Sequence, residues 1–170
     1  LYGITKKWKT TFFLTTLTTK VNLELATEKL KRYCAYQEGS HLNVTEKLYK
    51  LGLYKNEVDE VITRLLQDDF LNEQRFAEAY VSGKFKIKKW GKVKIISNLK
   101  QKRISDYCIK KGLLEIDEEA YQETLSYWIE RKKVEVKEED AFKKKGKIAA
   151  FLIQKGFESG LVWEYLNSME

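Results

Sequence analysis

The segment best equipped for chemistry is a run of cations between residues 84 and 103. Nine of its twenty residues are Lys or Arg, and none is acidic. Like charges at this density repel one another unless an anion is nearby, so the run predicts an acidic groove or a polyanion such as nucleic acid as its partner. Lysine holds phosphate as a mobile point charge, which positions a strand without reading its bases; the alternative is an ordinary solvated face. The candidate contact residues in this run are Lys84, Lys86, Lys88, Lys89, Lys92, Lys94, Lys100, Lys102 and Arg103.

Two aromatic residues and a second basic patch extend this hypothesis. Trp90 and Phe85 lie inside the run and are able to stack on an exposed base. For Trp90 we favour the alternative that its ring packs over the corner between two helices. A weaker basic patch recurs at the corresponding helix start of a later unit, and the same charge in the same place indicates one continuous basic strip. Its candidate residues are Lys143, Lys144, Lys145 and Lys147.

Residues able to catalyse a reaction do not converge in this sequence. His41 is the only histidine and lies beside a predicted loop, where a solvated or capping role is favoured. No cysteine pair has metal-ligand spacing, and no glycine-rich phosphate loop is present. The acidic clusters lie at predicted helix starts, where they complement the helix dipole. We therefore predict a protein that is not an enzyme and that needs no metal or cofactor.

The cations are carried by a pattern that occurs three times. Leu48, Gly52, Leu53, Val58 and Ile62 are matched in spacing by residues 99–113 and again by residues 152–166, at offsets of 51 and 53 residues. Self-similarity at a nearly fixed period is typical of tandem structural repeats. Helical arrays of this kind offer long surfaces that grip another macromolecule, and they seldom house a reaction.

The apolar pattern predicts helices from Leu23 to the end of the chain, because no segment after Lys20 alternates as a strand does. The sequence contains no proline, so nothing interrupts long helices. We predict an all-α fold of three tandem three-helix repeats that form an elongated curved array. The predicted divisions are an N-terminal arm over residues 1–22, repeat 1 over 23–70, repeat 2 over 71–116 and repeat 3 over 117–170. The arm is either β-prone or foreign to the native chain, and we assign it no function.

Local signals are densest in repeat 2. Asn72 and Ser105 are predicted helix N-caps, because their side-chain oxygens can accept an orphan backbone N–H. In repeat 3, Gly156 is predicted to end a helix. The first helix of repeat 2 is expected to turn one apolar stripe inward, made of Phe76, Ala77, Tyr80, Val81 and Ile87.

Composition sets wider limits on the protein. The net charge is +7 and 43% of the residues are hydrophobic, which fits a folded protein with an anionic partner. Cys34 and Cys108 are isolated within helical patterns, so we predict buried thiols, no disulfide, and a reducing, cytoplasmic compartment. No apolar run reaches the roughly 18 residues of a membrane span, so we predict no membrane partner. We expect a monomer.

Two ordered motifs and a matching tail resemble the RecX family of recombination regulators. The motifs are Asp69-Phe-Leu-Asn-Glu-Gln-Arg-Phe-Ala77, then Lys88-Lys-Trp-Gly-Lys-Val-Lys-Ile95 with Leu99-Lys-Gln-Lys-Arg-Ile104. The tail is Lys147-Ile-x-x-Phe-Leu-x-x-Lys-Gly-Phe157, and the resemblance covers about residues 35–169. Arg75 lies in the family's Arg-Phe-Ala element, which adds it to the candidate binding residues.

Three positions depart from the family pattern. Asp69 and Arg103 replace glycines, and Asn72 replaces an aspartate whose capping role it can match. Arg103 falls at a predicted left-handed position, where a side chain costs on the order of 1 kcal/mol. These departures put the local turns in question more than the function.

The resemblance implies a non-enzymatic modulator of RecA built from tandem three-helix repeats. Family members are thought to lie in the groove of the RecA–DNA filament and to depress ATP hydrolysis, strand exchange and co-protease activity. We therefore expect a regulator of recombination and DNA repair whose partners are the RecA filament and single- or double-stranded DNA. The alternative is a direct DNA-binding helical protein that acts independently of RecA.

Overall fold

A computed structural model of the chain describes residues 22–168, and every regular element in that range is an α-helix. The predicted all-α fold of helical repeats is confirmed, whereas the limits of the three repeats stay predictions. The N-terminal arm, apart from Asn22, lies outside the described residues. None of the helices within 22–168 combines the length and the apolar character that crossing a bilayer requires. The helices are α1 Leu23–Tyr36, α2 His41–Lys50, α3 Lys55–Gln67, α4 Glu73–Lys88, α5 Lys92–Gln101, α6 Asp106–Leu113, α7 Glu118–Glu135, α8 Ala141–Lys155 and α9 Ser159–Ser168.

Side-chain caps explain where several helices begin. Asn72 Oδ1 accepts the backbone N–H of Arg75 at 3.0 Å, and Ser105 Oγ accepts that of Cys108 at 3.4 Å. Both predicted N-caps are therefore confirmed. Asp140 caps α8 in the same way through the N–H of Lys143. An aspartate in this position also places negative charge at the positive end of the helix dipole.

Left-handed residues end several helices. Gly156 ends α8 with a φ of 96°, as predicted. Asp69 and Arg103 adopt φ values of 53° and 59°, so both replacements of family glycines keep the left-handed turn. Lys89, directly after α4, is a further left-handed residue that the sequence did not reveal. Each of these three side chains adds the strain of a Cβ in this conformation.

The buried apolar side chains form two separate clusters. The first core lies among α1–α3 and includes Leu48. The second core is shared by α4–α9, with Tyr121 and Phe157 as its largest fully buried members. Cys34 and Cys108 are buried free thiols, one in each core, as predicted. Burial raises the pKa of the Cys34 thiol to about 11, which keeps it protonated at neutral pH.

The predicted apolar stripe of α4 is wrong at one end. Ile87, expected to point inward, is 76% exposed, and Phe85 takes the buried place with 6% exposure. The Phe85 ring packs 6.0 Å from the ring of Tyr121 in the second core, so it is not available to stack on a base. Residues two apart on a helix lie about 200° around its axis, so Phe85 and Ile87 cannot share a face.

Candidate polyanion-binding surface

The start of α5 is joined to the end of α8 by their backbones. The Gly91 N–H donates to the carbonyl of Lys155 at 3.0 Å, and the Val93 N–H donates to that of Gly156 at 2.9 Å. We call this crossing of residues 91–93 with residues 155–156 the seam. A Cβ built on Gly91 would lie 2.1 Å from the carbonyl oxygen of Gly156, so the approach requires glycine. The orphan N–H groups of one helix thus satisfy the orphan carbonyls of the other.

Tyr121 completes the seam from inside the second core. Its hydroxyl accepts the backbone N–H of Lys92 at 3.0 Å and donates to the Glu158 carboxylate at 2.7 Å. Burial, and then the bond to Glu158, raise the pKa of Tyr121, so the phenol stays protonated. Lys92 also pairs with Glu118 at 2.7 Å and lies 4.2 Å from the centroid of the Tyr121 ring. Lys92, a predicted contact residue, is therefore engaged in holding the seam together.

Trp90 lies between two of the predicted lysines. Its ring is partly buried against the second core, in agreement with the packing role that we favoured. The Nζ of Lys84 lies 5.2 Å from the ring centroid, and that of Lys94 lies 4.8 Å from it. Lys84 also lies 5.1 Å from the centroid of the Tyr80 ring. The ring quadrupole therefore fixes these cations at an otherwise open surface.

A second group of cations and rings lies on α7 and α8. The Lys155 Nζ is 4.3 Å from the Trp128 ring centroid and 5.4 Å from that of Phe151. The Lys132 Nζ lies 4.2 Å from the Phe151 centroid, and the Arg131 guanidinium lies 5.6 Å from Trp128. The two rings meet edge to face at 5.4 Å. None of these five residues is among the contact residues that the sequence predicts.

The two groups join across the seam through Lys94. Its Nζ donates to the carbonyl of Gln154 at 3.3 Å, directly before Lys155. Burial lowers the pKa of Lys155, and the positive charge of Lys94 lowers it further. We call the joined set the cation–ring strip. It consists of Tyr80, Lys84, Trp90, Lys94, Trp128, Arg131, Lys132, Phe151 and Lys155.

The Trp128 indole is anchored to the residue that follows α4. Its Nε1–H donates to the carbonyl of Lys89 at 3.1 Å, across from α7 to the end of α4. Lys89 in turn places its Nζ 5.0 Å from the centroid of the Tyr127 ring. The left-handed conformation of Lys89 therefore serves two contacts with α7 as well as the end of α4. This predicted contact residue borders the cation–ring strip.

Several other predicted contact residues have partners inside the protein. The guanidinium of Arg75 pairs with Glu38 at 2.6 Å and with Asp69 at 2.8 Å. The remaining cases are Lys100 with Asp106 at 3.4 Å, Lys102 with Asn43 at 3.3 Å and Lys147 with Glu138 at 2.7 Å. Binding roles for these four cations stay predictions, but each would have to exchange an existing partner for a new one.

The remaining predicted cations lie more openly. Lys86, Lys88 and Lys143 are exposed and have no ion pair or ring contact among residues 22–168. Arg103 is exposed at its left-handed turn. Lys144 and Lys145 line a groove of about 260 Å³ with Lys133 and Ile148. The proposal that the two basic patches form one continuous strip stays a prediction.

The strip residues on α7 and α8 that we did not predict share one weak sequence pattern. Trp128, Arg131 and Lys132 are three and four residues apart, the spacing that places side chains on one side of a helix. Phe151 and Lys155 are likewise four apart on α8. The pairing of these two helices is a long-range contact that no local pattern encodes. Trp128 therefore resembled an ordinary core residue.

This arrangement is suited to binding anions. Cations held above half-buried rings are ordered before a ligand arrives, which lowers the entropy lost on binding. Glu135 pairs with Arg131 at 2.7 Å and also with Lys132, whereas Lys84, Lys94 and Lys155 form no ion pair within residues 22–168. Within residues 22–168, no group of three or more His, Cys, Asp or Glu side chains converges as a metal site.

Family models match two parts of the chain. The model of the second three-helix domain of RecX matches residues 72–113, and that of the third three-helix domain matches residues 118–166. The regulatory protein RecX of Bacillus mycoides (strain KBAB4) is 25% identical over 138 residues, and that of Bacillus cytotoxicus is 28% identical over 138 residues. Each match covers 81% of this chain and 51% of the relative, so the chain spans about half the length of these relatives.

Solved structures share the fold. The crystal structure of RecX from Lactobacillus salivarius superposes with a TM-score of 0.73 and 23% sequence identity, covering 85% of this chain and 96% of that one. A second crystal structure, of a regulatory protein RecX, gives a TM-score of 0.77 at 20% identity, covering 86% and 73%. At these identities the likeness is one of fold.

Proposed function

The chain belongs to the RecX family, and from this premise we propose that it binds the RecA–DNA filament and inhibits the ATPase, strand-exchange and co-protease activities of RecA. Its relatives are named regulatory proteins, which supports a regulatory role and not a catalytic one. We propose that it acts by occupying a surface that the filament needs, without chemistry of its own.

The cation–ring strip is the observation that carries this proposal. It spans four helices of one core, α4, α5, α7 and α8, so its cations keep their spacing when a partner docks. We expect the filament to present acidic protein surface or DNA phosphate to this strip, and a preformed row of cations complements either. The exposed lysines Lys86, Lys88 and Lys143 add positive charge on α4 and α8, two of the helices of the strip, and would strengthen long-range attraction.

RecA ATP hydrolysis on single-stranded DNA, measured while this protein is titrated in, tests the proposal. We expect inhibition that reaches its plateau near one protein per few RecA subunits at low salt and weakens as salt is added, because surface attraction is screened. The absence of inhibition at stoichiometric protein under low salt would contradict the proposal.

A charge variant identifies the surface in the same assay. Neutralising Lys86, Lys88 and Lys143 to Gln removes cations without touching the seam, whereas Lys92 is unsuitable because it pairs with Glu118. We expect weaker inhibition and a salt dependence that flattens by about one unit per lost phosphate contact. Lys110→Gln, on the exposed side of α6, is the matched control and should inhibit as the wild type does.

Direct binding of DNA without RecA is the second candidate function. It is favoured by the alternation of rings and cations along the strip, which is the arrangement that single-strand binding proteins use. A gel shift without RecA separates the two. Sub-micromolar, strongly salt-dependent affinity for DNA, together with unchanged RecA activity, would favour this alternative.

A further inference from the structure

Four cations converge beside the seam. Lys155 ends α8, and its carbonyl is held by Gly91; Lys94 lies in the first turn of α5 and reaches the carbonyl of Gln154. Arg131 and Lys132 come from α7 and contact the same two rings as Lys155. We call these four residues the seam cluster. Its members come from three helices that share the second core, so their relative positions are fixed.

The seam cluster carries more positive charge than the protein neutralises. Glu135 pairs with Arg131 at 2.7 Å and with Lys132, so one carboxylate serves two cations. Lys94 and Lys155 have no carboxylate within salt-bridge distance among residues 22–168. Burial lowers the pKa of Lys155 first, and the charges of Lys94, Lys132 and Arg131 follow. Burial and these neighbouring charges raise the free-energy cost of charging Lys155, and a bound anion would offset that cost.

We propose that the seam cluster binds backbone phosphates of a single nucleic-acid strand. The inference rests on the proposed function in that this strand is the DNA of the RecA filament, and it adds the place and the chemistry of the contact. Lysine and arginine held over aromatic faces bind phosphate oxygens by charge-assisted hydrogen bonds. The proposed contacts are to phosphate oxygens, which are the same for every base, so we expect binding at this site to be independent of sequence.

The geometry favours a strand over an acidic protein segment. From the seam cluster the strip continues through Trp90, between α5 and α4, to Lys84 and Tyr80 on α4, alternating ring and cation. A single strand alternates phosphates with flat bases along its length, and bases stack on aromatic rings. At Trp90 this stacking requires Lys84 and Lys94 to turn from the ring to the phosphates. An acidic peptide would supply negative charges for the cations but no flat bases to stack on the aromatic rings.

Binding of a fluorescent oligothymidylate of roughly 16 nucleotides, measured by anisotropy without RecA, tests the site. We expect Lys155→Gln to weaken binding roughly tenfold, as loss of a charged hydrogen bond does. The slope of log affinity against log salt should fall by about 0.7 per lost phosphate contact. Lys155→Arg keeps the charge and should bind nearly as the wild type does. Lys110→Gln removes the same charge from the last turn of α6 and should change neither quantity.

Two results would overturn the proposal. One is a Lys155→Gln variant that binds the oligonucleotide with wild-type affinity and salt slope. The other is polyglutamate competing as well as the oligonucleotide does, which would make an acidic protein surface the occupant. RecA inhibition by the same samples separates this site from the proposed function. If the protein inhibits RecA but does not bind the strand, the proposed function stands and the phosphate site is wrong. If it binds the strand through Lys155 but does not inhibit RecA, the site stands and the proposed function is wrong.

Discussion

The three repeats are joined in two different ways. Repeat 1 keeps its own core and meets repeat 2 through side chains, notably Arg75 with Glu38 and Lys102 with Asn43. Repeats 2 and 3 share a core, and the seam adds backbone hydrogen bonds across two close-packed glycines. We call the contact between repeats 1 and 2 the polar junction; it also includes the ion pair of Arg75 with Asp69. Exposed ion pairs contribute about 1 kcal/mol or less each, whereas opening the seam exposes buried apolar surface.

This difference assigns the two parts different tasks. The cation–ring strip lies on α4–α9, where its spacing is fixed by the shared core. Repeat 1 is connected by contacts that salt and acid weaken, so we expect its orientation to adapt when the protein docks on a partner. A rigid binding surface and an adjustable neighbour are thus built from similar helical units.

The largest expected effect comes from substituting Gly91 by Ala. The added Cβ would lie 2.1 Å from the Gly156 oxygen and 2.3 Å from the Phe157 nitrogen, and backbone atoms cannot move away as side chains do. We expect the free energy of unfolding to fall by about 3 kcal/mol, measured by urea denaturation. Gly83→Ala is the control, because nothing lies within 4 Å of its Cβ, and it should stabilise α4. Equal stability of both variants would mean that the seam is not closely packed.

The second effect concerns the hydroxyl inside the seam. Tyr121→Phe removes the acceptor of the Lys92 N–H and leaves that half-buried donor without a protein partner. We expect a loss of about 1.5 kcal/mol in the free energy of unfolding, the usual penalty for an unsatisfied buried group. Tyr36→Phe changes a side chain that is 89% exposed and should leave stability unaltered. A neutral Tyr121→Phe variant would show that water replaces the hydroxyl.

Helix positions and caps followed from the sequence because they depend on neighbouring residues. Asn72 and Ser105 cap helices through residues three positions away, and Gly156 ends α8 by its own backbone freedom. The seam did not follow, because Gly91 and Gly156 meet only after two repeats have folded. The placement of Ile87 failed for a simpler reason: two residues beyond Phe85 is the opposite side of a helix.

The candidate site could be predicted only in part, because some of its contacts form only when distant helices pack together. Lys84, Trp90 and Lys94 belong to the cation-rich run of residues 84–103, which is evident from the sequence alone. Lys155 and Arg131 lie in separate mixed-charge segments, and only helix pairing brings them to Trp128. A local excess of charge therefore predicts that an anion binds, and long-range packing decides where.

The third effect is acid loosening of the polar junction. The hydrogen bond from Asn72, and then the bond and charge of Arg75, hold the pKa of Asp69 below its ordinary value of 3.8. A carboxyl with a lowered folded-state pKa stabilises the fold above its ordinary pKa, and this contribution is lost as pH falls through the lowered value. We expect the radius of gyration from small-angle scattering to rise as the pH falls below about 4, before tryptophan emission reports opening of the seam.

Asp69→Asn provides the matched comparison at the polar junction. An amide does not titrate, so this variant should respond less to acid over the same pH range. If the seam of the wild-type protein opened at a higher pH than the polar junction, the assignment of the rigid and the adjustable part would be reversed.

The smallest effect separates two left-handed residues. Arg103→Gly relieves the strain of its Cβ and should stabilise the protein by about 0.5–1 kcal/mol, measured by thermal unfolding. Asp69→Gly relieves the same strain but removes the partner of Arg75, so it should destabilise the polar junction. Identical shifts for the two variants would mean that the Asp69–Arg75 pair contributes nothing.

Amine labelling read out by mass spectrometry tests most directly the claim that the cation–ring strip docks on the filament. The chain is labelled alone and on RecA bound to single-stranded DNA, and the reactivity of each lysine is compared. We predict that Lys84, Lys94, Lys132 and Lys155 lose reactivity on the filament, while Lys29 on α1 and Lys110 on α6 keep theirs. Protection confined to Lys29 and Lys110, with the strip lysines as reactive as in the unbound protein, would contradict this account.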